Sequence, residues 1–135
     1  RATDWISGIA GMSRFARSVP VLAELTGLPI FARMLESGPL PMAAGMYWTA
    51  LDAAFKRRGG AWDVDVARKV SGAMHALGAS RRYRHAVIAP GSMQHDGDGA
   101  PISPVNPEYR ARVVRVEARL AKQRRMNGET KREAA

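Results

Sequence analysis

Glycine and proline divide this chain into short segments, and this division limits the folds that it can adopt. Breaks occur at Gly27, 39–41, 59–60, Gly78, 90–91 and 96–99. Proline lacks a backbone donor and glycine tolerates positive φ, so both tend to end regular structure. Between the breaks, apolar residues recur at helical spacing. We therefore expect one mainly α domain with small β elements, since 135 residues with 46% hydrophobic content suit a single modest core.

The periodicity and cap residues predict the following order. The first helix begins at Thr3 or Asp4, is interrupted by Pro20, and has on its inward face Trp5, Ile9, Met12, Ala16 and Val19. A short helix covers 21–25, residues 28–42 are irregular, and the next helix ends at 59–60, with core stripes formed by Tyr47, Leu51, Ala54, Phe55 and Trp48. A helix capped by Asp63 or Asp65 then reaches Leu77, and Ser80 begins the helix 81–88.

The remaining residues predict a hairpin and a final helix. Segments 91–95 and 100–105 form the arms, and the Asp-Gly repeat at 96–99 forms the turn, because Asp-Gly steps suit tight turns. Asn106 and Pro107 are expected at the N-cap and first position of a helix, with Tyr109, Val113, Val116 and Leu120 inward. From about Gln123 the composition predicts a frayed helix or disorder.

The charge is strongly positive and lies in one half of the sequence. The formal net charge is +9. Residues 1–55 hold four basic and four acidic residues, so the whole excess lies in 56–135. This excess favours a polyanionic partner, nucleic acid before membrane, because no apolar run approaches the roughly 20 residues of a spanning helix. With no signal-peptide pattern at the start, we expect a cytoplasmic protein.

Candidate catalytic and metal sites are weak. The chain has no cysteine, and His75, His85 and His95 lack ligand spacing. Asp96 and Asp98 suggest a calcium loop, but Pro107 occupies the position where an EF-hand needs an acidic residue. We expect no enzyme, no metal and no cofactor.

The start of the helix after Ser80 is the strongest candidate binding site. Helix-start N–H groups and the helix dipole attract anions, and Arg81, Arg82 and Arg84 surround this start. Ser80 is expected as the N-cap, with or without a ligand role. Tyr83 is either a core residue with its hydroxyl at the surface or a contact to the ligand.

Two other classes of function fit the residues. Segment 65–87 could form two helices joined by a glycine turn, as in a helix-turn-helix DNA-binding regulator of transcription or conjugation. The arginines after Ser80 would then begin the recognition helix of a dimer. Alternatively, the basic final helix could dock on a ribosome or a protein.

From Pro29 to about Val113 the chain resembles the ProQ/FinO family of bacterial RNA chaperones. The resemblance rests on "PIFARML", "PLPMAAGM", "GASRRYRHA", "PGSMQHDGDGAPI" and "NPEYRARV" in this order. The most specific pieces are 41–45 (Pro-x-x-x-Gly), 80–83 (Ser-x-Arg-Tyr) and 96–99 (Asp-x-Asp-Gly) followed by Pro101. The resemblance implies an N-terminal helical extension at 1–28, a FinO-like domain at 29–122 and a basic, flexible tail at 123–135.

The resemblance also implies a function. Family members bind structured RNA, notably the 3′ end where a terminator stem meets a uridine tail, in small RNAs and messages, and they protect RNA or promote pairing. A monomer would hold the stem on a concave basic face and the 3′ end at the Ser80 helix start, beside the hairpin. The expected RNA-binding residues are Ser80, Arg81, Arg82, Tyr83, Arg84, Arg68, Lys69, Gln94, Arg112 and Arg115.

The sequence departs from the family pattern at several positions. Leu77-Gly78 replace an aromatic and a hydroxyl residue, Gln94 replaces an arginine, and Ala43 replaces a lysine. Positions that often form a basic stripe hold Ala67, Ser71 and His75. Gln94 can still form hydrogen bonds, but it cannot neutralise a phosphate.

Overall fold

The structure is a computed structural model that describes residues 13–134, with the side chains of 13–128. The described elements are α1 (Arg14–Thr26), α2 (Pro29–Ser37), α3 (Met46–Arg57), α4 (Val64–Ala79), α5 (Arg81–Ile88), β1 (Met93–His95), β2 (Pro101–Pro104) and α6 (Pro107–Ala134). The predicted fold class, mainly α with a small hairpin, is confirmed. The predicted helix start at Thr3 or Asp4 lies outside the described residues.

Helix α1 runs through Pro20, so the predicted interruption there is wrong. The side chain of Ser13 caps the start by accepting from the N–H of Ala16 at 3.1 Å, and Gly27, with φ 65°, ends the helix. Pro20 is exposed, while Val19 and Leu22 beside it are buried. Burial of the apolar face therefore offsets the hydrogen bond that proline cannot donate.

Helix α2 occupies a segment that we predicted to be irregular. Pro29 stands in its first turn, where the missing donor costs nothing, and Ile30, Phe31 and Met34 are buried. The N–H of Ile30 donates to the carbonyl oxygen of Gly97 at 3.0 Å. The hairpin tip thus supplies the hydrogen-bond acceptor for the start of α2. The residues that precede the helix in the sequence do not indicate this acceptor.

The core is formed mainly by α1, α3 and α4. Leu22, Ala50, Val70 and Leu77 are fully buried in one cluster. Leu51 and Ala54 of α3 are buried as predicted, whereas the burial of Ala50 was not predicted. Helix α1 packs against α2, α3 and α4. Residues 14–26 therefore belong to the same core as the rest of the domain. Trp48, which we expected on a core stripe, is instead exposed.

The hairpin has the predicted arms and turn. Strands β1 and β2 pair antiparallel, with Gln94 opposite Ser103. One carboxylate oxygen of Asp96 accepts from the N–H groups of Asp98 at 2.9 Å and Ala100 at 3.1 Å, so this acid fixes the turn as expected. On the other side, the N–H of His95 donates to the carbonyl of Pro41 at 2.8 Å, which ties β1 to the segment before α3.

Helix α6 begins as predicted and continues further than predicted. The side-chain oxygen of Asn106 accepts from the N–H groups of Glu108 at 2.8 Å and Tyr109 at 3.3 Å. The segment after Gln123, expected to be frayed or disordered, continues the helix to Ala134. A helix of 28 residues measures about 42 Å. Among the described helices, none combines the length and apolar character needed to cross a membrane.

Candidate functional site

The junction of α4 and α5 is a single residue, Ser80. Its hydroxyl oxygen accepts from the N–H of Tyr83 at 3.3 Å and donates to the carbonyl of Leu77 at 2.7 Å. The predicted N-cap is therefore confirmed. Ser80 is 3% exposed. Its hydroxyl serves the junction itself, and a ligand at this helix start would meet the neighbouring arginines first.

Two of the three arginines at this start face solvent. Arg81 and Arg82 are exposed and line a cleft of about 300 Å³ together with Arg14 of α1. The guanidinium carbon of Arg82 lies 4.2 Å from the ring centroid of Phe15. This cation–π contact holds the side chain of Arg82 at the cleft. Among the residues that the structure describes, no acidic one lines this cleft.

Arg84 borders the same cleft but is only 8% exposed. Its Nε donates to Oε2 of Glu117 on α6 at 2.8 Å, and a terminal guanidinium nitrogen donates to the carbonyl of Ala79. Arg84 borders this cleft and a second one described below, so the prediction that it contacts RNA stays a prediction, with most of its guanidinium already engaged by Glu117 and Ala79. Its guanidinium joins α5 to α6, because burial demands a partner for the charge.

The carboxylate of Glu117 has three side-chain partners. His85 Nε2 lies 3.0 Å and an Arg124 guanidinium nitrogen 3.3 Å from its Oε1, in addition to the pair with Arg84. We call Arg84, His85, Glu117 and Arg124 the anchoring cluster. Burial raises the pKa of the Glu117 carboxyl, but the hydrogen bonds from His85, Arg84 and Arg124 outweigh it and lower the pKa to about 2. The carboxylate is therefore ionised across the neutral range.

Tyr83 is a core residue, as in the packing alternative, but its hydroxyl is bonded to the backbone instead of lying at the surface. Tyr83 is 3% exposed, and its hydroxyl oxygen accepts from the N–H of Met42 at 2.7 Å. Burial raises the pKa of Tyr83, although the hydrogen bond from Met42 acts against this. The residue links α5 to the segment before α3 and offers no surface to a ligand.

One flank of α6 carries a row of cations. Arg112, Arg115, Arg119 and Lys122 follow each other at spacings of three, four and three residues, and we call them the basic flank. With about 100° per residue, they fall within roughly 80° of the helix circumference. All four are exposed, and no carboxylate among residues 13–128 pairs with them. Glu117 lies on the opposite side of the inner face.

Two further clefts extend the first one along α6. A cleft of about 290 Å³ is lined by Arg14, Arg84, Tyr109, Arg112 and Leu120, among others. A cleft of about 350 Å³ follows it, with Met42, Ala44, Gln94, Tyr109 and Arg112 in its lining.

Because consecutive clefts share lining residues, they form one path from Arg81 to Gln94, which we call the basic groove. Arg14 and Leu120 line the first two clefts, and Tyr109 and Arg112 line the last two. Burial raises the pKa of Tyr109, while the charge of Arg112 lowers it. The structure thus brings Ser80, Arg81, Arg82, Gln94 and Arg112 to one groove, with Arg115 on the flank beside it.

The two predicted cations of α4 lie elsewhere. Lys69 lines a cavity of about 710 Å³ between α1 and α4, where Arg14 and Arg17 also lie. Arg68 is exposed and lies about 100° from Lys69 around the axis of α4, on the side away from the face that packs on α1. Neither residue lines the basic groove.

The sequence reasoning missed Arg14, Arg119 and Lys122. The regular spacing of the last two from Arg112 and Arg115 was a usable signal on a helix. Arg14 gave none, because only tertiary packing brings the start of α1 to α5. Gln94 accepts a hydrogen bond from the Ser103 hydroxyl at 3.3 Å, which holds its side chain at the hairpin.

Within residues 13–128 we find no group of three histidine or acidic side chains that could hold a metal ion. No family model matches the chain, and neither does a curated protein or a solved structure.

Proposed function

We propose that this chain binds structured RNA along the basic groove and the basic flank of α6. The observation that carries the proposal is the continuous groove whose cations Arg14, Arg81, Arg82 and Arg112 have no carboxylate partner among the described side chains. Of the described residues that line the groove, Glu108 is the one that is acidic. Uncompensated cations along a concave surface attract a phosphate backbone, and binding then releases counterions.

RNA fits the groove better than duplex DNA for a physical reason. The exposed residues of α5 are Arg81, Arg82 and His85, since Tyr83, Arg84 and Val87 are buried and the others are half-buried. A recognition helix for the DNA major groove needs a longer exposed face. A-form RNA is held mainly through its phosphates and shape, which the groove and the basic flank can contact without reading bases.

The resemblance to ProQ/FinO proteins supports a more specific form of the proposal. The start of α5, with its positive dipole end and Arg81, Arg82 and Arg14 around the cleft, would take the 3′ end of a terminator-type hairpin. The protein would act as a monomeric RNA chaperone in the cytoplasm, stabilising small RNAs or promoting RNA pairing in post-transcriptional regulation. It would need no cofactor and break no bond.

The test compares four ligands at equal salt: a hairpin RNA with a uridine tail, the same hairpin without the tail, the tailed hairpin with a 3′ phosphate, and duplex DNA of equal length. We expect the tailed hairpin with a free 3′ hydroxyl to bind most tightly. Arg81→Ala and Arg82→Ala should weaken its binding, whereas Arg68→Ala, a matched exposed arginine outside the groove, should not.

Equal affinity for all four ligands would contradict recognition of the RNA end. Tightest binding to duplex DNA would favour the helix-turn-helix alternative. Equal losses from Arg82→Ala and Arg68→Ala would show that charge acts without a defined groove.

A further inference from the structure

Two tryptophans outside the basic groove are unusually exposed. Trp48 on α3 is 71% exposed, and Trp62 in the loop after α3 is 70% exposed. Trp48 contacts Tyr47 edge-on at 5.1 Å between centroids, and Trp62 rests on Phe55 at 5.0 Å. Each indole is thus supported by one half-buried ring and leaves most of its surface to solvent. Exposed apolar area of this size is costly unless a partner covers it.

The two indoles lie on one side of α3. Trp48 and Phe55, the support of Trp62, are seven residues apart, which is close to two helical turns and about 10 Å along the axis. Asp52 lies between them on this side and forms an exposed ion pair with Lys56 at 2.9 Å. Docking of a protein would bury this ion pair at the centre of its interface, where charged residues are depleted. Separate rings divided by polar side chains suit stacking of individual bases.

Two cations precede the second indole closely in the sequence. Lys56 lies in the last turn of α3, and Arg58 follows that helix, four residues before Trp62. Arg58 pairs with Asp63 at 3.4 Å, and both this pair and that of Lys56 are exposed. Exposed ion pairs contribute little, so both cations can turn to a phosphate at small cost. Aromatic faces next to mobile cations are the features that hold single-stranded nucleic acid.

The start of α3 lies next to the basic groove along the chain. Met42 and Ala44 line its last cleft together with Gln94 and Arg112. Helix α3 begins at Met46, two residues after Ala44, and Trp48 lies in its first turn. A strand that leaves the groove past Ala44 is therefore close to the end of α3 that carries Trp48.

We infer that Trp48 and Trp62 form a stacking surface for a single-stranded segment of the RNA whose structured part lies in the basic groove. This inference rests on the proposed function, and it adds a second contact region for a different part of the ligand. The surface recognises the faces of unpaired bases and the phosphates between them. This holds whether the single strand extends from the 5′ end or from the 3′ end of the stem.

The test uses the full chain and three RNAs: one hairpin without extensions, the same hairpin with a 5′ single-stranded extension, and the same hairpin with a 3′ extension. In the variant Trp48→Ala/Trp62→Ala, we expect the affinity for one extended RNA to fall by about tenfold or more, because stacking on each ring strengthens binding by roughly that factor. The hairpin without extensions should bind as it does to the unchanged protein. Leu35→Ala, which removes another exposed apolar side chain, is the control.

A second readout does not depend on the variants. Titration of the unchanged protein with oligouridylate should quench its tryptophan fluorescence, and Trp48→Phe/Trp62→Phe should lose most of that quenching. If all three RNAs bind and the double variants behave like the unchanged protein, the stacking surface is refuted while the groove stands. If no RNA binds the unchanged protein, both proposals fail.

Discussion

The cations at the two flanks of α6 differ in whether they have a carboxylate partner. On one flank, Arg84 and Arg124 share the carboxylate of Glu117 with His85, and the anchoring cluster joins α5 to α6. On the other, the basic flank from Arg112 to Lys122 has no acidic partner among the side chains that the structure describes. The comparison teaches that positive charge alone does not mark an interface. The informative cations are those whose charge the fold leaves uncompensated.

Arg84→Ala should produce the largest change, on the anchoring side. The variant removes the main partner of Glu117 and leaves the Ala79 carbonyl without its donor, so we expect the free energy of unfolding to fall by about 3 kcal/mol. Urea unfolding measures this loss. Below the unfolding transition RNA affinity should change little, and a large loss of RNA affinity in folded protein would contradict the separation of the two flanks.

Glu117→Gln should destabilise the protein in a pH-dependent way. Because the fold lowers the pKa of Glu117 from 4.5 to about 2, the stabilisation by its carboxylate is complete above pH 4.5 and is lost as the pH falls towards 2. At neutral pH we expect a loss of about 2 kcal/mol. The difference between the variant and the unchanged protein should shrink in acid. A difference that stays constant from pH 7 to pH 2 would reject this account of the carboxylate.

Arg119→Ala should change RNA affinity and leave stability unchanged. The side chain is exposed and unpaired within the described residues, so thermal stability should stay the same. RNA affinity should fall by about tenfold at roughly 0.1 M salt, since one phosphate contact is lost. Arg68→Ala is the matched control on α4. Equal affinities for the two variants would remove the basic flank from the interface.

Tyr83→Phe should have the smallest effect and concerns the buried side of α5. Loss of the hydrogen bond from the Met42 N–H should cost about 1 kcal/mol at neutral pH, with RNA binding unchanged. Because burial raises the pKa of Tyr83, its neutral form stabilises the fold below pH 10, and this stabilisation is lost as the pH rises further. The variant should therefore lose less stability than the unchanged protein in alkaline unfolding experiments.

Local sequence signals predicted the helix caps and the hairpin. Ser80, Asp63 and Asn106 each accept a hydrogen bond from an N–H within the next three residues, so a short window contains the whole interaction. The turn at Asp96 is equally local. These features needed no knowledge of the tertiary structure.

The errors come from interactions between distant segments. Helix α2 depends on the Gly97 carbonyl as acceptor, and α1 continues through Pro20 because the core buries its other face. Arg82 and Arg84 are chemically identical and only two residues apart in the sequence, yet only Arg84 has a carboxylate within reach, and that carboxylate is on α6. Local patterns cannot distinguish two such arginines.

The exposed position of Trp48 also required the tertiary structure. Met46, Ala50, Leu51 and Ala54 are the buried residues of α3. They define a core side of α3 that excludes Trp48, although the position of Trp48 in the sequence is compatible with the predicted core stripe. The same burial pattern separates Arg81 and Arg82 from Tyr83 on α5, and so defines the groove.

The salt dependence of RNA binding tests the central claim most directly. The affinity of the unchanged protein for a tailed hairpin RNA is compared with that of a variant with alanine at Arg112, Arg115, Arg119 and Lys122, over a range of salt concentrations. If the basic flank contacts phosphates, the slope of log affinity against log salt should become shallower by about three units. An unchanged slope would contradict the assignment of this flank to RNA.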